Sequence, residues 1–104
     1  MSIEDFVNEH WKFSAATFGP SPNRWVGALK HLEKEIEEIR RDPTDLEEWI
    51  DAIHLVVDGA LRATGCDGKE FAEALAAKAA KIRARTYPDW RTVSPTDPIE
   101  HKRD

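Results

Sequence analysis

Apolar residues recur at three- and four-residue intervals through most of the chain, and no stretch alternates as a strand would. The pattern predicts four helices with punctuated breaks. The first is expected from about Ile3 to Thr17, ending at Gly19-Pro20. Ser21 can cap the second, with Pro22 at its first position, where a missing N–H costs nothing. That helix is expected to reach about Arg41. Asp42 is expected to cap the third and Pro43 to open it, and Gly65 is a natural stop. Asp67 and Glu70 make an Asp-x-x-Glu capping box for the fourth, which is expected to run to about Thr86. Tyr87-Pro88-Asp89-Trp90 terminates it. The expectation is an all-α domain over residues 1–90. A loosely ordered tail, residues 91–104, follows with Pro95, Pro98 and many charges.

The helix faces refine this picture. On the second helix Leu29, Leu32, Ile36 and Ile39 form an expected core stripe, flanked by Arg24, His31, Glu35 and Glu38. Glu33 and Glu37 point elsewhere, to solvent. On the third helix the expected core stripe is Leu46, Trp49, Ile50, Ile53, Val57 and Ala60. The opposite side carries Glu48, Asp51, Leu55, Asp58 and Arg62. Leu55 interrupts that polar side, so the helix can be buried on both faces, with a second subunit as one wall. On the fourth helix Phe71, Leu75 and Ile82 mark an inward stripe that also contains Lys78 and Arg85. Basic groups on an inward face need anionic partners.

Composition narrows the function classes. A chain of 104 residues has room for one core. Its net charge of -5, with 34% charged residues, argues against a nucleic-acid polymer or a membrane surface as partner. A small phosphorylated ligand remains open, because a bound metal reverses the local sign. No stretch approaches a membrane span and the N-terminus does not read as a signal peptide. The single Cys66 excludes an intrachain disulfide and fits a reducing cytoplasm. It has no obvious base beside it and receives no catalytic role.

The candidate chemistry lies in two acidic pairs, Glu35-x-x-Glu38 and Glu48-x-x-Asp51. Carboxylates three apart share a helix face. Two packed helices can therefore gather four of them, which repel one another unless a cation intervenes. Oxygen ligands suit Mg²⁺, or Mn²⁺ in its place. The competing reading is ordinary solvated helix acid, and Glu-x-x-Glu alone does not decide against it. Lys78, Lys81, Arg83 and Arg85 likewise read either as a phosphate site or as charge complementing a helix C-terminus. Trp11, Phe13, Phe18 and Trp25 read as packing or as a wall for a nucleobase. Histidines 10, 31, 54 and 101 show no zinc spacing.

The run His31-Leu32-Glu33-Lys34-Glu35-Ile36-Glu37-Glu38-Ile39, followed by Glu48-Trp49-Ile50-Asp51-Ala52-Ile53-His54-Leu55, resembles the MazG-type all-α nucleoside triphosphate pyrophosphohydrolases. It is most similar to their phage-associated dATP/dGTP diphosphohydrolase group, the MazZ group. Trp11 before Thr17-Phe18-Gly19-Pro20, Asp58-Gly59-Ala60-Leu61-Arg62, and Lys78 to Arg85 with Tyr87-Pro88 extend the likeness over roughly Phe6 to Trp90. The resemblance implies a four-helix bundle that forms a homodimer or homotetramer. It also implies Mg²⁺-dependent cleavage of a nucleoside triphosphate to monophosphate and pyrophosphate, in a host cytoplasm if phage-encoded. Carried over, Glu35, Glu38, Glu48 and Asp51 are metal ligands and catalytic acids, and Asp58 is an additional or supporting one. Lys78, Lys81 and Arg85 hold phosphates; Trp11, Phe18, Arg24 and His31 contact base and sugar. The spacer of nine residues between Glu38 and Glu48 is short for the broad family and implies a tight antiparallel hairpin. Ile82 stands where many relatives carry asparagine. Two other readings remain open at this point: a house-cleaning pyrophosphatase for another nucleotide, and a silent helical adaptor.

Overall fold

The computed structural model describes residues 1–103. Its elements are α1 (Ile3–Phe18), a single 3₁₀ turn (Pro22–Arg24), α2 (Trp25–Arg41), α3 (Leu46–Thr64), α4 (Gly68–Ala84) and a second 3₁₀ turn (Trp90–Thr92). Among the described residues there is no strand, and no helix is long and apolar enough to cross a membrane.

Local chemistry accounts for the boundaries. Ser2 and Asp5 form a reciprocal capping box at the start of α1. Ser21 caps as expected, but it caps the 3₁₀ turn that leads into α2. The start of α3 is corrected from Pro43 to Leu46. Asp42 spends its side chain on Thr44, whose N–H and hydroxyl both donate to it, so the cap passes to Asp45, which accepts from the Glu47 N–H. The Trp49 indole N–H donates to the Pro43 carbonyl at 3.0 Å and pins this turn from the helix side. Gly65 ends α3 at φ 71°, the left-handed conformation in which a side chain is disfavoured. Asp67 and Glu70 make the expected box on α4.

The chain divides into two compact units, Met1–Ala72 and a second that begins at Glu73. In the first unit α3 packs on α2, on α1 and on the 3₁₀ turn between them. Val7, Val57 and Leu61 form its core, with Phe6, Trp11, Cys66 and Phe71 packed around them. Gly68 lies so close to α1 that a Cβ there would collide with the Glu4 carbonyl and the Asn8 side chain. The Gly68 N–H donates to Asn8 Oδ1 at 3.0 Å. In the second unit the Tyr87 hydroxyl donates to the Ile82 carbonyl, and the Lys102 N–H donates to the Thr86 carbonyl. Asp89 caps the last 3₁₀ turn and pairs with Arg91.

The expected core stripes are only partly buried. On α3, Val57 is buried, but Leu46 is 70% exposed, Trp49 48% and Ile53 51%. On α2, Leu29 and Ile36 are exposed and Leu32 and Ile39 half-buried. On α4, Leu75 and Ile82 are exposed. The buried residues of α2 are Ala28 and Glu35, and Arg62 on the polar side of α3 is only 4% exposed. The polar side of α3 is therefore a covered one: Asp58 and Arg62 find their partners on α1 and the Gly19–Ser21 segment, while the larger apolar side chains are left exposed.

Candidate active site

The α2–α3 hairpin sets Glu35 and Glu38 opposite Glu48. Oxygens of these three carboxylates all lie within 4.8 Å of one another. Glu35 is 8% exposed, Glu48 is half-buried and Glu38 is exposed. Oε2 of Glu35 and Oε2 of Glu48 are both buried without a hydrogen-bond partner. Among the described residues no lysine or arginine pairs with any of the three. The group nearest in charge is His31, whose Nε2 lies 3.7 Å from Glu35 Oε1. Hydrogen bonds from Glu48 to Glu35, then to Glu38, together with burial and the charges of both neighbours, push the Glu48 carboxyl up to about 7. A proton shared among crowded carboxylates is what such a site holds when no cation does.

These observations test the metal directly. Hard oxygen donors, two of them buried and unpartnered, converge with no protein cation to neutralise them. A buried anionic group in that state is costly. A divalent ion with oxygen preference fits the set. Asp51, one turn beyond Glu48, is exposed and stands outside the three-glutamate group.

Asp58 sits in different surroundings. Its Oδ1 accepts from Ser14 Oγ at 2.5 Å and faces His10 Nε2 at 3.0 Å, and its Oδ2 accepts from Arg62 Nε at 2.8 Å. The Arg62 guanidinium also donates to the Gly19 and Ser21 carbonyls and to Ser14 Oγ. Trp11 covers it at 5.2 Å from the ring centroid. Burial alone would raise the Asp58 carboxyl. The bonds from Ser14, Arg62 and His10 outweigh that and hold it below the usual carboxylate range. Both carboxylate oxygens are thus committed to protein partners.

Beside this network lies a cavity of about 740 Å³. Two aromatic groups line it. Phe6, His10 and His54 pack together, with the Phe6 and His54 rings edge-on at 5.3 Å and those of His10 and His54 at 5.8 Å. Phe13 and Phe18 meet edge-on at 6.1 Å. Arg24 and His31 also line it, and His31 links the cavity to the carboxylate cluster. Of the four residues expected around base and sugar, the structure brings Phe18, Arg24 and His31 together. Trp11 instead covers Arg62 and lines a separate cavity of about 230 Å³ beside Val7 and Leu61. Lys78 and Lys81 are exposed and Arg85 is half-buried, all in the second unit.

Sequence reasoning missed Phe6, His10 and His54, which the cavity brings together. A signal existed for the first two: Phe6, His10 and Phe13 follow a helical i, i+4, i+7 spacing. His54 lay among residues assigned to packing, and nothing in its neighbours set it apart.

Comparison with known proteins adds one match. The sequence model of a family described as dATP/dGTP pyrophosphohydrolase matches residues 6–104, nearly the whole chain. No curated protein and no solved structure matches it.

Proposed function

The chain belongs to the dATP/dGTP pyrophosphohydrolase family, and from that premise we propose that it is a Mg²⁺-dependent enzyme converting dATP and dGTP to the monophosphate and pyrophosphate. The observation that carries this reading is the trio Glu35, Glu38 and Glu48, convergent and without a protein cation, joined through His31 to an aromatic-lined cavity. The trio, with Asp51 as a further candidate acid and Asp58 supporting from its pairing with Arg62 and His10, would hold Mg²⁺ or Mn²⁺, which would neutralise the cluster and the triphosphate charge when bound.

The residues of the chain divide the remaining work. Phe18, Arg24 and His31 seat base and sugar in the cavity, so that the α-phosphate lies beside the carboxylates. Trp11 supports that wall from behind through Arg62. Water attacks the α-phosphorus; the bond to the oxygen bridging to the β-phosphate breaks, and pyrophosphate leaves. A carboxylate of the cluster accepts the proton that the water loses. Lys78, Lys81 and Arg85 are carried over by resemblance alone as the phosphate-binding residues, the role that would stabilise the pyrophosphate leaving group. No side chain needs to act as a nucleophile.

The exposed apolar stripe of Leu46, Trp49, Ile50 and Ile53 supports assembly as a homodimer or homotetramer. Analytical ultracentrifugation checks this, with a monomeric Trp49→Lys/Ile53→Glu double variant as the expected control.

The decisive experiment is pyrophosphate release from a panel of canonical and modified NTPs and dNTPs, with Mg²⁺ or with EDTA. Metal-dependent release favouring dATP and dGTP supports the proposal. Preference for a modified nucleotide would replace it with a house-cleaning role. A folded, Mg²⁺-loaded protein that releases none would sink it.

A further inference from the structure

One imidazole in the aromatic cavity has its tautomer set by its partner. His54 Nδ1 lies 3.0 Å from the Ile50 carbonyl oxygen. A carbonyl only accepts, so Nδ1 carries the proton and Nε2 of the neutral ring is a bare acceptor. His10 Nε2 lies 3.0 Å from the Asp58 carboxylate and donates to it, so that side of the ring is committed to the protein. Both rings line the cavity and sit 5.8 Å apart. The cavity thus offers a hydrogen-bond acceptor, the His54 ring, in an apolar frame of Phe6, Phe13 and Phe18.

Adenine and guanine carry opposite groups at position 6, an amine in one and a carbonyl in the other. A site that takes both cannot demand one fixed group at position 6, but one acceptor facing the edge between positions 6 and 1 can reach a donor in either base. Each presents an N–H donor on its pairing edge: the N6 amine of adenine, and N1–H with the N2 amine of guanine. We propose that His54 is a specificity-determining residue whose bare Nε2 accepts a hydrogen bond from that donor. The proposal rests on the reading of the cavity as the nucleoside pocket. The Ile50 carbonyl then acts as a positioning group, since it holds the Nδ1 proton and leaves Nε2 to accept.

A base that lacks donors leaves the acceptor buried and unpaired, and sites built to hydrogen-bond a substrate reject such analogues. The test compares dATP, dGTP and the 5′-triphosphate of purine 2′-deoxyriboside, which has both rings but no amine and no N1–H. Wild type is expected to favour dATP and dGTP over the bare purine by about tenfold or more in kcat/KM. His54→Phe keeps an aromatic ring and removes the acceptor. It is expected to lose about tenfold on dATP and dGTP, mainly through KM, and nothing on the bare purine. His54→Gln, which restores an acceptor oxygen, should recover part of the preference.

Equal use of all three substrates by wild type would overturn the proposal even if His54→Phe failed to fold. So would a His54→Phe enzyme with the wild-type ratios. A wild type inert toward every nucleotide is a different result: it overturns the hydrolase reading, and this proposal with it.

Discussion

Two carboxylate sites stand within the first unit of this protein, and they are built on opposite terms. At Asp58 both oxygens are paired, with Arg62, Ser14 and His10. At Glu35, Glu38 and Glu48 three acids crowd together, two of their oxygens are buried without partners, and among the described residues no lysine or arginine pairs with them. The first site is closed within the protein and holds α1, α3 and the Gly19–Ser21 segment together. The second is a group that could hold a metal ion. Acidic residues in a fold therefore divide by whether their charge is answered, and the unanswered set points to the chemistry.

The comparison breaks first if the carboxylates are dispensable. Glu38→Gln and Asp51→Asn are each expected to lower kcat by roughly 100-fold or more with helical content unchanged, measured by pyrophosphate release and circular dichroism. Full activity in both variants would remove the metal site. Asp51 is the sharper case, because it lies outside the trio. An effect there as large as at Glu38 means that Asp51 is recruited when metal or substrate binds.

At the closed site the large effect is on stability. Removing one member of a buried ion pair leaves its partner's charge uncompensated, at about 3–5 kcal/mol. Arg62→Ala should show a loss of that size in urea unfolding. Glu48→Gln should do the reverse in the absence of metal at pH 8, raising the Tm by relieving repulsion. Mg²⁺ should raise the Tm of wild type, by an amount equivalent to about 2.7 kcal/mol at 100 times its Kd, and leave Glu48→Gln nearly unmoved. If Mg²⁺ stabilises both equally, the ion binds elsewhere.

The pH dependence should separate the sites by sign. Glu48 goes from an ordinary 4.5 to about 7 in the folded, metal-free protein. Between those values the folded state holds a proton that the unfolded state has lost, so stability falls as pH rises through the window. Asp58 is depressed below its ordinary 3.8. Its contribution is present above 3.8 and is lost as pH falls through the lower folded value. Urea midpoints in EDTA across the pH range should therefore decline toward pH 7 and collapse in acid. Glu48→Gln should flatten the first slope and leave the second in place.

What the chain disclosed in advance follows the same division. The helix ends were legible where short-range chemistry decides them, at Gly65 and at the Asp67–Glu70 box. The third helix start was misplaced because Asp42 and Asp45 are both competent caps, and the choice depends on Thr44 turning back to Asp42. The grouping of Glu35, Glu38 and Glu48 was legible because helical spacing and a short hairpin leave them little freedom. The buried faces were not. Apolar periodicity identified the stripes correctly as apolar, yet Leu46, Trp49 and Ile53 stay exposed while Arg62 goes inside. Arg62 is acceptable there because, beside Asp58 one turn back on its own helix, Ser14, Gly19 and Ser21 reach it from more than 40 residues away, and long-range pairing of that kind leaves no local trace.

Trp11 offers the finest test of the division. Its pattern suggested an aromatic wall of the base pocket, together with Phe18. The structure places Phe18 in the large cavity and Trp11 over the Arg62 guanidinium. Phe18→Ala should therefore raise KM for the nucleotide with little change in unfolding free energy, since that ring is exposed. Trp11→Phe keeps an aromatic face but a weaker one for a cation, and should cost about 0.5–1 kcal/mol in urea unfolding. Its KM should stay near the wild-type value, because the ring reaches substrate only through Arg62. A rise in KM for Trp11→Phe as large as that for Phe18→Ala would mean that Trp11 touches the nucleotide. The closed network would then be part of the binding site, and the boundary between the two carboxylate sites would have to be redrawn.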